Sequence, residues 1–184
     1  MSAVRRHGAS GTGGAGTVYT RVATPVGDML LAGDGRELEA VWIDGQRWAP
    51  TIGPGWREEA PPFAAAARQL EEYFAGERTA FELPLRLGGT PFQHEVWRAL
   101  TAIPFGETRT YGAIAAGLGR SGAARAVGAA NGQNPFCIVV PCHRLIGSGG
   151  TLVDYAAGVE VKRWLLDHEA RVSRDDVTPR GTAV

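Results

Sequence analysis

"TRTYGAIAAGLG", residues 108–119, and "GAARAVGAANGQN", residues 122–134, read as two short Ala-rich helices divided by the glycine-bearing turn "GLGRSG". Small residues let two such helices approach closely, which is helix-turn-helix geometry, although two core helices in a tight hairpin fit the same composition. From His94 to Arg144, Arg98, Arg109, Arg120, Arg125 and Arg144 outnumber Glu95 and Glu107. A local basic excess suits a phosphate backbone, and a scattered solvated surface is the plainer reading of the same charges.

Immediately upstream, "TPFQHEVWRALTAI" places Thr90 as an N-cap, Pro91 at the first helical position, and Phe92, Val96, Trp97 and Leu100 on one face. Further upstream, "VYTRVATPVGDMLLAGDGRELEAVWI" offers short β-type runs separated by "TPVGD" and "GDGRE", as in an antiparallel meander. After two Pro/Gly-rich stretches, "FAAAARQLEEYFAGE" sets Phe63, Ala67, Leu70 and Phe74 at helical spacing and stops at Gly76. "FELPLRLGG" is a further extended segment. Downstream, "GVEVKRWLLDHE" carries Val161, Trp164 and Leu165 on the apolar face of a last helix. The expected fold is α/β of the α+β kind, with a small N-terminal antiparallel sheet and helix followed by a mainly helical second half. The divisions are a flexible tail over 1–17, an N-terminal scaffold over 18–88, a C-terminal domain over 89–170 and a tail over 171–184.

With 184 residues the chain can bury one ordinary core or two small ones packed together, and 44% apolar content fits a globular protein. Its 19 basic and 19 acidic residues cancel, so overall charge selects neither nucleic acid nor membrane. Two cysteines, Cys137 and Cys142, are too few for a disulfide framework or a four-ligand zinc site, and a reducing, cytosolic setting follows. No window approaches the ~20 apolar residues of a membrane span, and no signal peptide is read.

The chemistry concentrates in "NPFCIVVPCHRL", residues 134–145. A free thiol with a pKa of about 8.5 needs a base, a dipole or a cation to act as a nucleophile near neutrality. Cys142 has His143 and Arg144 beside it, but adjacent side chains on an extended strand point to opposite faces. A turn or a bridging water would have to join thiol and imidazole, and Glu169, read as the end of the last helix, is an attractive acid to orient the imidazole. The plainer readings are a small buried hydrophobe for Cys142, a satisfied core histidine for His143 and a solvated helix end for Glu169. Cys137 reads as core.

Taken together, "TPFQHEVWRALTAIPFGETRTYGAIAAGLG", "AARAVGAANGQNPFCIVVPCHRLIG" and "KRWLLDHE" resemble the O6-alkylguanine-DNA alkyltransferases, the methylated-DNA–protein-cysteine methyltransferases. The resemblance runs from about Tyr19 to Glu169, and its specific part is "IPxGxTxxY", Asn134-Pro135, "PCHR" and the closing helix, which follow one another in that order. It implies DNA repair by single, irreversible transfer of an alkyl group, chiefly methyl, from O6 of guanine (or O4 of thymine) to the protein's own cysteine. Cys142 would be the acceptor, His143 would take its proton through a bound water, and Glu169 would orient and charge-stabilise His143. Asn134 would fix the turn carrying the "PCHR" strand. Tyr111 would offer its hydroxyl to N3 of a flipped guanine, so that the base departs neutral. Arg125 would fill the gap left in the stack, with Ala124, Ala126, Gly128 and Tyr111 also at the DNA, the second helix lying in the minor groove. Pro141, Val153, Asp154, Tyr155, Ala156 and Ala157 would line the base pocket. The resemblance further implies double-stranded DNA containing O6-alkylguanine as partner, a monomer in the cytoplasm, and no metal or organic cofactor. His7 and His94 alone make a poor zinc site.

"LVDYAAG" departs from the family's "TGYxGG"-like segment. Tyr155 and Gly158 match, whereas Val153, Asp154 and Ala157 replace small or glycine residues. A glycine there can serve a positive φ, which Ala tolerates poorly, and Asp154 would add negative charge near a polyanion. The expectation is retained cysteine chemistry, a pocket less open to bulky adducts and weaker DNA affinity. Competing readings are a non-enzymatic sensor that holds alkylguanine, a helix-turn-helix regulator with a structural cysteine, and a papain-like hydrolase, which would turn over.

Overall fold

The computed structural model describes residues 16–177, with side chains to Arg174. Strands β1 (Val18–Val22), β2 (Met29–Gly33) and β3 (Leu38–Ile43) form the expected meander, with Val18 opposite Gly33 and Met29 opposite Ile43. Every residue of β2 is buried because both sheet faces are covered. One face joins the main core, while Leu30, Ala32, Ala40 and Trp42 pack on the other under Ile52 and Trp56. The sheet is mixed and not purely antiparallel: β4 (Arg57–Glu58) pairs with β1 in parallel, giving the order β3-β2-β1-β4.

The outer edge of β3 is not left open. Leu38 N–H donates to Pro84 C=O and Arg86 N–H to Leu38 C=O, both at 2.8 Å, so the extended segment after the first helix covers one end. At the other end Val41 N–H donates to Pro135 C=O and Cys137 N–H to Val41 C=O, also at 2.8 Å. A free edge would present unpaired donors and acceptors, and here the segment that carries the cysteines satisfies them.

Helix α1 (Ala64–Ala75) ends on Gly76, whose φ of 80° is the left-handed cap expected there. Its buried face runs through Phe63, Ala66, Leu70 and Tyr73, with Ala67 and Phe74 only partly buried. Helix α2 (Pro91–Thr101) begins with a reciprocal capping box between Thr90 and Gln93 and buries Val96, Trp97 and Leu100. The helix-turn-helix is α3 (Tyr111–Gly117) and α4 (Ala124–Gly132), and Trp97 Nε1–H ties α2 to α4 through Ala130 C=O at 2.9 Å. A short parallel ladder joins β5 (Arg109–Thr110) to β6 (Leu145–Ile146).

Helix α5 runs from Val159 to Val177, past the boundary expected at Ala170, so Glu169 lies within the helix and not at its end. Thr17, assigned to the N-terminal tail, is buried and its carbonyl accepts from Arg57 N–H at 3.0 Å. The remainder of both expected tails, 1–15 and 178–184, lies outside the described residues. One buried cluster draws on β2 and β3, on α1, α2, α4 and α5, and on the segment 136–145. Among the described residues no helix is long and apolar enough to cross a membrane.

Candidate active site

The apolar run leading into the expected "PCHR" strand is a chain of tight turns. Ile138 takes a φ of 70° between Cys137 C=O and Val139 N–H, which bond at 2.8 Å, a γ-turn that a β-branched residue adopts only under strain. Pro141, at φ −78° and ψ 65°, forms an inverse γ-turn closed by Cys142 N–H to Val140 C=O at 2.7 Å. Cys142, His143 and Arg144 then occupy one turn of 3-10 helix, correcting the expected strand. Asn134 braces the whole segment: its Oδ1 accepts from Phe136 N–H at 3.0 Å, and its Nδ2 donates to Phe136 C=O at 3.3 Å and Val140 C=O at 2.9 Å. Strain of this kind persists only where surrounding bonds over-determine it.

Beneath the turn lies a saturated ionic network. Glu169 Oε1 accepts from His143 Nε2 at 2.7 Å, Tyr73 Oη at 2.8 Å and Arg144 Nη2 at 3.0 Å, while Oε2 accepts from Arg144 Nε at 2.9 Å and Gly106 N–H at 3.0 Å. Arg144 Nη1 donates to Ile103 C=O at 2.6 Å, and its guanidinium lies 5.6 Å from the Phe105 ring centre. His143 and Glu169 are fully buried. Burial alone would raise the Glu169 carboxyl, but its hydrogen bonds and the charges of His143 and Arg144 prevail and hold it down at about 2. A carboxylate only accepts, so His143 carries its hydrogen on Nε2 and leaves Nδ1 as the basic nitrogen. That Nδ1 is buried and meets no protein partner.

Cys142 and Cys137 are both free and buried, and the Tyr155 hydroxyl sits between them, 2.9 Å from Cys137 Sγ and 3.9 Å from Cys142 Sγ. The Cys142 thiol is lowered from its ordinary value, first by the Cys137 thiol and then, against the cost of burial, by His143, Asn134 and Tyr155. The neighbouring Cys142 and then burial push Cys137 well up, so Cys137 keeps its proton.

The β5–β6 ladder pairs Arg109 with Leu145 and so brings Tyr111, the next residue after β5, alongside the cysteine turn. The Tyr111 ring lies against Gly128 of α4, where an added Cβ would meet it at 3.6 Å. Burial and the nearby Cys142 and Asp154 raise the Tyr111 hydroxyl, keeping it a donor. Arg125 and Ala126 are exposed on α4, and Ala124 and Gly128 partly so. The basic face is narrower than the count of arginines suggests. Arg144 is buried on Glu169, Arg109 pairs with Glu107 at 2.8 Å, and Arg120 pairs with Glu95 at 2.9 Å.

In the loop 151–158, Tyr155 is buried, Ala156 and Ala157 are half-buried, and Val153 and Asp154 are exposed. Only Gly158 there has a positive φ, at 96°, so Asp154 and Ala157 adopt no conformation that needs glycine. Asp154 is not a bare charge either. It pairs with Arg47 from the N-terminal half, whose backbone N–H also donates to Ala156 C=O at 2.9 Å. From below, Lys162 Nζ donates to Leu145 C=O at 2.5 Å and Val153 C=O at 3.2 Å. His94 Nε2–H donates to Gly88 C=O at 2.9 Å, and His7 lies outside the described residues. Among the described residues no three His, Cys, Asp or Glu side chains gather to hold a metal ion.

Cys142, His143, Asn134, Tyr155, Pro141 and Glu169 are thus gathered, with Tyr111 adjoining and Arg125 outside on α4. Tyr73, Gly106, Arg47 and Lys162 join them without having been singled out. Helical spacing from Phe63 through Ala66 and Leu70 does reach Tyr73, and Gly106 is the glycine of "IPxGxTxxY".

A buried cysteine with a lowered pKa, a buried His–Glu pair and a helix-turn-helix lie together in the second half of the chain. Two family profiles match: "6-O-methylguanine DNA methyltransferase, ribonuclease-like domain" over residues 17–87 and "6-O-methylguanine DNA methyltransferase, DNA binding domain" over residues 91–171. The chain belongs to the 6-O-methylguanine DNA methyltransferase family. A methylated-DNA–protein-cysteine methyltransferase of Mycolicibacterium paratuberculosis is 49% identical over 160 residues, covering 87% of this chain and 96% of that protein. The constitutive methylated-DNA–protein-cysteine methyltransferase of Bacillus subtilis is 44% identical over 158 residues, covering 82% and 94%. Among solved structures, Mycobacterium tuberculosis OGT in complex with DNA superposes with a TM-score of 0.78 at 47% identity, covering 84% of this chain and 94% of that one. The family's reaction is direct transfer of an alkyl group from DNA to a protein cysteine, used once.

Proposed function

We propose that this chain, acting as a monomer in a reducing cytoplasm, repairs double-stranded DNA by taking the alkyl group of O6-alkylguanine onto Cys142. The observation that carries this reading is the 2.7 Å contact of His143 Nε2 with Glu169 directly under a thiol of lowered pKa. Glu169, a carboxylate throughout the neutral range, fixes the Nε2–H tautomer, and the unpartnered Nδ1 takes the thiol proton through one water. The sulfur forms a bond to the alkyl carbon, the carbon–O6 bond breaks, and its electron pair passes into the guanine ring. Tyr111 donates to N3 as that charge develops, and the proton lost by the thiol is returned to the base overall. The products are a thioether and neutral guanine, so one chain reacts once.

The extruded base lies against Pro141 and the loop from Val153 to Ala157, with Arg125 of α4 entering the stack it left and Ala124, Ala126 and Gly128 letting the helix lie close to the backbone. Residues 18–88 serve as the scaffold whose β3 edge holds the cysteine segment, and residues 89–170 carry the DNA-contacting and acceptor groups. A single chain supplies all these side chains, which supports the monomer as the acting unit.

The test is intact-protein mass after incubation with a short duplex containing O6-methylguanine, with Cys142→Ser alongside. A gain of one methylene on the wild type only, saturating at one per chain, is expected. Tight lesion binding with no gain would move the reading to a non-enzymatic sensor, and release of product beyond one per chain would move it to a hydrolase.

A further inference from the structure

Cys137 is a buried nucleophile next to the site that the proposed reaction does not use. It does not fit a plain core role, because its sulfur meets a hydroxyl 2.9 Å away in an otherwise apolar segment. A valine or alanine there would leave the buried Tyr155 hydroxyl with only the longer contact at Cys142, 3.9 Å away.

We propose that Cys137 is a positioning residue for the alkyl acceptor: its thiol holds the Tyr155 hydroxyl in a hydrogen-bonded chain that ends on the Cys142 sulfur. The inference rests on Cys142 being the acceptor. When Cys142 is a thiolate, Cys137 S–H donates to Tyr155 Oη and Tyr155 O–H donates to Cys142. Donors in series polarise one another, so the second bond is stronger for the presence of the first. The arrangement works only in one direction. The neighbouring Cys142 and burial keep Cys137 a thiol, whereas His143 next to Cys142 favours the Cys142 thiolate. Two geometric features serve this orientation. The strained Ile138 γ-turn follows Cys137 directly, and Cys137 N–H is tied to Val41 C=O on β3 at 2.8 Å, so the N-terminal sheet sets where the thiol points.

The other titratable groups facing Cys142 are the His143–Glu169 pair below it, Tyr111 at the start of α3 and Lys162 from α5, and none of them is changed by substituting Cys137. Two readouts on the full chain, both under reductant, separate positioning from simple packing. The first is methyl transfer from an O6-methylguanine duplex against pH. The second is iodoacetamide labelling of Cys142 against pH, mapped by peptide mass. In Cys137→Ala the lower limb of both profiles moves up by about one pH unit, a tenfold loss of thiolate below it that alkaline pH restores. Cys137→Ser, which keeps a donor, stays within about twofold of the wild type in the neutral range. Profiles of wild type and Cys137→Ala that superpose, or a loss in Cys137→Ala that is the same at every pH, would overturn the inference. Absence of transfer by the wild type itself would instead overturn the acceptor role of Cys142, so the two failures are distinguishable.

Discussion

The segment 134–146 and the loop 151–158 both border Cys142, and they are held by opposite means. The first is buried, strained at Ile138, and clamped by Asn134, by the β3 edge and by the five-bond Glu169 network. The second lies partly in solvent and hangs on Arg47 above and Lys162 below. Under the proposed function, groups that hold a proton at a fixed atom sit where water cannot compete, whereas groups that admit a base sit where a few contacts can open. The same residue pairing, a basic side chain on a carboxylate, is therefore worth very different amounts in the two places.

Glu169→Gln breaks the first region at its centre. It leaves Arg144 and His143 buried without their anion and costs about 3–5 kcal/mol, read as a lower denaturant midpoint, with methyl transfer abolished at neutral pH. A loss of well under 1 kcal/mol would mean that the network is less closed than its geometry. Asn134→Ala comes next, at about 2–3 kcal/mol, because Phe136 N–H and Val140 C=O lose a buried partner; transfer slows as the Ile138 turn relaxes. Acid titration sharpens the comparison without substitution. The Glu169 carboxyl is depressed from its ordinary 4.5 to about 2, so its stabilisation is complete above 4.5 and is lost as pH falls through about 2. Acid unfolding of the wild type should show this loss, and Glu169→Gln should lack it.

Arg47→Ala, in the second region, is the smallest effect on stability, about 0.5 kcal/mol for an exposed pair. Its readout is selectivity. Val153 packs near Gly147, where an added Cβ would meet its side chain at 3.2 Å, and with Asp154 and Ala157 it is expected to favour methyl over benzyl adducts. Releasing the loop in Arg47→Ala raises the benzyl rate relative to the methyl rate. Equal benzyl and methyl rates in the wild type would show that the loop does not narrow the pocket.

Much of this was legible in the sequence where local rules decide the outcome. Thr90-Pro91, Gly76 and the Ala-rich pair at 111–132 each announce a helix boundary or a close approach by residue type alone. The turns of "NPFCIVVPCHRL" are not announced by its residue types, because apolar, β-branched runs look alike whether they extend or turn, and only Asn134 and the β3 edge impose them. Apolar periodicity found only part of the buried face of α5: Leu165 is buried and Val161 and Trp164 partly so, but Lys162, His168 and Glu169 share that face. Charged residues earn no weight in such a pattern until their partners are known. Arg47 was invisible for a related reason: its partner lies on the far side of the sequence, and nothing local marks either end.

The central claim is that, of two adjacent buried thiols, Cys142 alone accepts the alkyl group. The direct measurement is peptide mapping by tandem mass spectrometry after reaction with an O6-methylguanine duplex. The expected result is a single S-methylcysteine at Cys142 with Cys137 unmodified. A methyl group on Cys137, or unmodified Cys142 in protein that has consumed the lesion, would contradict the account.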